Sequence, residues 1–156
     1  MAVALKQKRG GSHNPEPNQI KCFQVNLQHS RAATANLMQL MSTDKIGMAL
    51  IQEPHHYQNK LTGITKGYRI FAYGEGKCRA AIKVQYNRCS TDHATIRQRR
   101  SSPGNKGKSS FYAASIYFDI KEPIANNIKT VDRILKFTKG KRLLLAMDSN
   151  SRSTTY

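Results

Sequence analysis

"LLLAMDSN", residues 143–150, is the stretch on which the reading of this chain turns. The run Leu143–Met147 is apolar throughout, and its length suits a buried strand rather than a helix. Polar residues follow at once, with Asp148 and then Asn150. A second stretch has the same design: "IGMALIQEP", 46–54, is a short apolar run that closes on Glu53 and Pro54. In open or layered sheets, sites gather at the carboxyl ends of strands. Two carboxylates at two such ends can face one cleft if the strands are neighbours. Pro54 biases the residue before it to extended geometry, which would hold Glu53 in line with its strand. A spacing of two in a strand would put Asp148 and Asn150 on the same side.

Reading outward from these two runs gives an alternation of strands and helices. "IKCFQVNL", 20–27, suits a strand, with the polar Asn26 interrupting its apolar end. Ser30 can cap a helix whose apolar face is Ala33, Leu37, Leu40 and Met41. "YRIFAY", 68–73, and "RAAIKVQY", 79–86, are expected strands joined by a hairpin-like link containing Gly74 and Gly76. "FYAASIYFDI", 111–120, is a further strand. "ANNIKTVDRILKFTKG", 125–140, is a helix with Ile128, Val131, Ile134 and Leu135 on one face and Gly140 as its stop. Strand–helix–strand order favours a sheet covered by helices, hence an α/β fold. There is no internal sequence repeat. Residues 1–19 combine Lys6, Lys8, Arg9, paired glycines and two prolines, which predicts a disordered basic tail ahead of a single domain over 20–156.

Composition narrows the partner. The 156 residues carry 26 Lys or Arg against 9 Asp or Glu, a net charge of +17. Such an excess predicts affinity for polyanions, with nucleic acid the first expectation. From Lys77 to Lys108 there are nine basic residues and one acid. Within that span "RQRRSSPGNKGKSS", 97–110, reads as a basic loop, and Arg97, Arg99, Arg100, Lys106 and Lys108 are its candidate phosphate contacts. No apolar run reaches the ~18 residues of a membrane span, and no basic amphipathic helix marks a membrane surface. Cys22, Cys78 and Cys89 form no Cys-x-x-Cys pair. An odd count without a signal peptide predicts reduced thiols in a nuclear or cytoplasmic setting.

An oxygen-rich cluster of Glu53, Asp148 and Asn26 suits a hard cation such as Mg²⁺, which can polarise a phosphoryl group. A basic protein with a carboxylate-lined cleft is the combination expected of a nuclease. Each signal also has a plainer meaning. Glu before Pro is an ordinary loop start, and Asp-x-Asn after a strand is often an Asx-turn. Tyr117 in an apolar strand reads as packing. His55 and His56 read as surface residues, because neighbours in a strand point opposite ways.

Taken together and in order, "QVNLQHSRAATANL", "ALIQEP", "ASIYFDI" and "LLLAMDSNS" resemble the endonuclease domain of non-LTR retrotransposons. That domain belongs to the apurinic/apyrimidinic endonuclease-like branch of the endonuclease/exonuclease/phosphatase family. The resemblance covers residues 20–156 and implies a DNase I-like fold, a two-layer β sandwich flanked by helices, here incomplete. It implies Mg²⁺-dependent nicking of target DNA for reverse transcription, with Mn²⁺ as a substitute metal. DNA is then the partner, together with the RNA of the parent element. By position, Asn26 matches the Asn that shapes the phosphate site and Glu53 the metal-binding Glu. Tyr117 matches the Tyr that hydrogen-bonds near the scissile phosphate. Asp148 matches the Asp that positions or deprotonates the attacking water, and Asn150 the Asn that orients its neighbours.

The chain departs from the pattern in places. Met147 stands where the family often has Gly, Ser149 where it has Phe, and Gln28 where some members have an acid. The family's closing Ser-Asp-His motif is absent. The expectation is therefore an N-terminal part of a longer element-encoded protein, inactive as it stands. Two other readings follow from the same residues: a catalytically dead nucleic-acid-binding fragment, and a phosphatase of the same family, against which the charge of +17 argues.

Overall fold

The computed structural model describes residues 20–63, 66–72, 77–85, 89–92, 95–98 and 110–150. The tail expected at 1–19 and the link through Gly74 and Gly76 lie outside the described residues. The chain opens with β1 (Cys22–Asn26), α1 (Arg31–Thr43) and β2 (Met48–Gln52). A short antiparallel pair follows, β3 (His56–Tyr57) with β4 (Lys60–Leu61), and then β5 (Tyr68–Ala72) and β6 (Ala80–Gln85). The second half consists of β7 (Cys89–Asp92), β8 (Thr95–Gln98), β9 (Ser110–Tyr117), α2 (Ile124–Phe137) and β10 (Leu143–Asp148).

Two four-stranded sheets result, ordered β1-β2-β6-β5 and β10-β9-β8-β7. In each, one pair is parallel, β1 with β2 and β10 with β9, and each such pair is bridged by a helix. The remaining pairings are antiparallel. An architecture that the sequence does not repeat is thus built twice. The expected α/β sandwich is present, with two departures inside the basic stretch. β7 and β8 form where no strand was anticipated, and Arg97 lies in β8 opposite Ser90 and Ser110 rather than in a loop. Two-stranded pairing is specified across the sheet and leaves little trace in a polar sequence.

Strand β2 is buried along its whole length because both of its faces are covered. Ala49 and Ile51 pack with Leu27, Leu37, Met41, Ile46 and Ala81 beneath α1. Met48 and Leu50 pack with Val84 and Ala146 between the sheets. The α1 start is capped as expected: the Ala33 N–H donates to Ser30 Oγ at 3.1 Å. Cys22 and Cys78 are free thiols, and no helix among the described residues is long and apolar enough to cross a membrane.

The α2 face is only half as expected. Asn127, Val131 and Ile134 are partly covered and Thr138 is buried, but Ile128 and Leu135 lie open to solvent at 57% and 51%. The covered row follows i, i+4, i+7, i+11, one helical stripe too narrow to take in Ile128 and Leu135. Gly140, with φ 72°, takes the left-handed turn that follows the helix.

Candidate active site

The carboxyl ends of the two parallel pairs meet at one place. Asn26 pairs with Gln52 in register at the end of β1 and β2, and Asp148 pairs with Tyr117 at the end of β10 and β9. Across the sandwich, Asn26 Nδ2 donates to Asp148 Oδ2 at 2.6 Å, although 122 positions separate the two in the chain. Gln24 Nε2 donates to the Met147 carbonyl at 3.3 Å beside it. One step further in, Gln52 Nε2 donates to Ser115 Oγ at 2.9 Å, and that hydroxyl donates to the Ile51 carbonyl at 3.0 Å. These ties fix how one sheet slides on the other, and so the spacing across the cleft.

Two expectations about local geometry need correction. Asn150 is not carried to the side of Asp148 by strand alternation, because β10 ends at Asp148. Instead, Asn150 has φ 46° and its N–H donates to Asp148 Oδ1 at 3.1 Å, an Asx-type turn. Its side chain donates from Nδ2 to the Phe118 carbonyl at 2.6 Å. The plain turn and the candidate site are the same object here. Likewise, Glu53 is not extended before Pro54; its φ is 45°, in the left-handed region disfavoured for such a residue. The neighbours impose this. The Glu53 N–H donates to the Arg79 carbonyl at 2.8 Å, and the Glu53 carbonyl accepts from the His29 N–H at 2.8 Å. Gln28 and His29 are also left-handed, at φ 48° and 54°, and the Gln28 N–H donates to Asn26 Oδ1 at 2.8 Å. Each such residue costs about 1–3 kcal/mol, and backbone strain of this kind clusters at functional sites.

The side chains around Glu53 include three that sequence reasoning did not select. His29 Nδ1 lies 3.1 Å from the Pro54 carbonyl, which can only accept, so the proton sits on Nδ1 and Nε2 faces the cleft. That Nε2 is 3.5 Å from Glu53 Oε1 and 3.4 Å from Arg79 NH1. Arg79 NH2 donates to Asp119 Oδ2 at 3.3 Å and stands 3.9 Å from Glu53 Oε1. The guanidinium carbon lies 4.5 Å from the centre of the Tyr117 ring. The Tyr117 hydroxyl meets Glu53 and Asn150. Burial first, and then the Glu53 carboxylate, push its phenol above the usual value, while Asn150 and Arg79 oppose them. Arg79 was hidden among the basic residues of 77–108, and Asp119 and His29 sit in loops with no pattern to distinguish them.

Asn26, Glu53, Tyr117, Asp148 and Asn150 therefore converge. Of the basic candidates, Arg99, Arg100, Lys106 and Lys108 lie outside the described residues, as does the side chain of Arg97. His55 and His56 are half-buried rather than surface residues: His55 Nδ1 is 2.8 Å from Thr62 Oγ1, and His56 Nε2 is 3.4 Å from Cys78 Sγ. Thr62, just past β4, meets His55, and Cys78, just before β6, meets His56.

A search of solved structures finds this arrangement of strands and helices in "Endonuclease domain of TRAS1, a telomere-specific non-LTR retrotransposon". The chain has the fold of a retrotransposon endonuclease domain. The match has a TM-score of 0.63 and 27% sequence identity, over 87% of this chain and 61% of the TRAS1 chain. The DNase I-like sandwich and the retrotransposon resemblance read from the motifs both stand on this match. The chain spans less than two thirds of the TRAS1 domain's length. No protein-family model matches the chain, and no curated protein matches it.

Proposed function

We propose that this chain is part of a Mg²⁺-dependent DNA endonuclease domain of a retroelement, nicking target DNA to prime reverse transcription. The observation that carries the proposal is the junction of the two parallel pairs. Asn26 and Asp148, from opposite sheets, are joined by a 2.6 Å hydrogen bond in the fold that the TRAS1 endonuclease shares. A nicking role on chromosomal DNA would place the protein in the nucleus.

In this reading Asp148 receives the proton of the attacking water. Its carboxylate is fixed for the task, with Oδ2 held by Asn26 and Oδ1 by the Asn150 N–H. A base whose orientation is set in advance loses little entropy on reaching its reactive geometry. Tyr117, whose hydroxyl meets Glu53 and Asn150, lines the place of the phosphate together with Asn150. Glu53 is the metal residue, a carboxylate with only 16% of its side chain exposed. Mg²⁺ retains waters and binds through one or two carboxylates plus substrate phosphate, so the Glu53 carboxylate together with the phosphate would hold it. Bound there, Mg²⁺ or Mn²⁺ would supply Lewis-acid stabilisation of the phosphoryl group. The 156 residues contain no Ser-Asp-His, which favours a second reading for these residues alone: they bind DNA, or the RNA of the parent element, with little turnover.

The test is nicking of supercoiled plasmid with Mg²⁺, by this chain and by the chain extended with the downstream segment of an intact relative. The expected result is little or no nicking by the first and Mg²⁺-dependent nicking by the second, slowed at least about 10²-fold by Asp148→Ala. Nicking by the extended protein at an undiminished rate in Asp148→Ala would overturn the assignment.

A further inference from the structure

The geometry points to Arg79 as a phosphate-binding residue of the site, presented to the backbone of the nucleic acid by Tyr117 and Asp119. The inference rests on the endonuclease reading and adds to it a residue that neither the motifs nor the composition selected. Three carboxylates, Glu53, Asp119 and Asp148, lie at the mouth of the cleft. A phosphodiester entering there is anionic and would be repelled by them. Arg79 is a permanent cation in contact with two of them, Glu53 and Asp119.

Its geometry suits the part. The Arg79 carbonyl accepts the Glu53 N–H, so the residue is pinned beside the proposed metal ligand at backbone level. The guanidinium carbon lies over the Tyr117 ring, 4.5 Å from its centre, which holds the group in place without taking up its N–H donors. A guanidinium has five N–H donors. One on NH2 is taken by Asp119, and NH1 faces His29. Glu53 Oε1, at 3.9 Å, is beyond hydrogen-bond reach and takes none. Donors remain for a phosphate oxygen, and the side chain is 42% exposed at the cleft mouth. Arg is suited to this because its planar fork matches phosphate geometry. A purely internal clamp between Asp119 and Glu53 would have the same neighbours, and the two roles separate by their dependence on salt.

The experiment measures binding of a short fluorescent duplex by the full 156-residue chain in EDTA, from ~50 to ~200 mM salt. Arg79→Ala should weaken binding several-fold and make the slope of log Kd against log salt shallower by about one. Arg79→Lys should keep the slope, because the charge remains. Lys129→Gln, on the exposed side of α2, should also keep it. If Ala unfolds the chain by circular dichroism, Arg79→Gln, which keeps the side-chain length, is read in its place. A folded Arg79→Ala or Arg79→Gln with an unchanged slope would overturn the proposal and leave the endonuclease reading standing. A lost slope in a protein whose extended form never nicks would support Arg79 and sink the endonuclease reading. Absence of duplex binding by the wild type would overturn both.

Discussion

The two halves of the sandwich are built to one plan and finished to different degrees. In the first, α1 closes tightly over β1 and β2, burying Thr34, Leu37 and Met41. In the second, α2 bridges β9 and β10 yet has no buried residue. Ile124, Ile128 and Phe137 on it are each more than half exposed. Their caps differ as well. Ser30 accepts the Ala33 N–H at 3.1 Å, whereas Pro123 heads α2 with no side-chain cap. Both halves nevertheless deliver a polar residue to the same cleft. Position at a strand end is set by sheet register, which survives a loosely covered helix.

The largest expected effect tests the junction of the halves. In the extended protein, Asp148→Ala should lower the nicking rate by on the order of 10²–10⁴, the usual contribution of a positioned acid–base group. Asn26→Ala, which acts through Asp148, should lower it less, up to about 10²-fold, as expected for misplacement of the reacting geometry. Equal losses from the two would mean that Asn26 touches the substrate itself.

Stability should divide by half. Leu37→Ala under α1 should cost about 2–5 kcal/mol by chemical denaturation. Ile128→Ser on α2 should stay within about 0.5 kcal/mol, as for an exposed position. A large cost at Ile128 would show that α2 is covered in solution. Smaller differences are expected at the caps. Ser30→Ala should cost about 1 kcal/mol, and Pro123→Ser should stabilise by a similar amount or less. Destabilisation by Pro123→Ser would mean that the rigid proline directs the chain into α2.

The first half also has a pH signature. Lys83 is fully buried in β6, donates to the Gly63 carbonyl at 2.7 Å, contacts Met38 Sδ, and lies 4.6 Å from the Tyr68 ring centre. Gly63 permits this: at φ 78°, a Cβ there would come within 2.8 Å of Thr34 Cγ2. Burial lowers the Lys83 pKa from 10.5 to about 8. Between those values the unfolded chain binds more protons than the folded one, so stability should rise as pH goes from about 8 to 10.5. Below about 8 the penalty is fully present. Lys83→Met should flatten that rise, measured as the denaturation midpoint against pH. A slope that persists in the variant would assign it to another group.

Much of the plan was legible because it is local. Apolar runs of strand length, the 3.6-residue spacing of Leu37 and Met41, and the Ser30 cap all depend on near neighbours in the chain. The same holds for the polar residues at strand ends, Asn26, Glu53 and Asp148, which stand out against the apolar runs they interrupt or close. β7 and β8 were missed because polar strands are specified by their partners.

What tertiary structure decided is everything that depends on pairing across the sandwich. The bond from Asn26 to Asp148 spans 122 residues, and Arg79 reaches Asp119 across 40. No spacing rule in a linear sequence describes such a meeting. The left-handed turn at Glu53 runs against the preference of a residue before proline, because backbone bonds to Arg79 and His29 outweigh it. Local chemistry thus determined which residues end the strands, and the register and stacking of the sheets determined which of them meet.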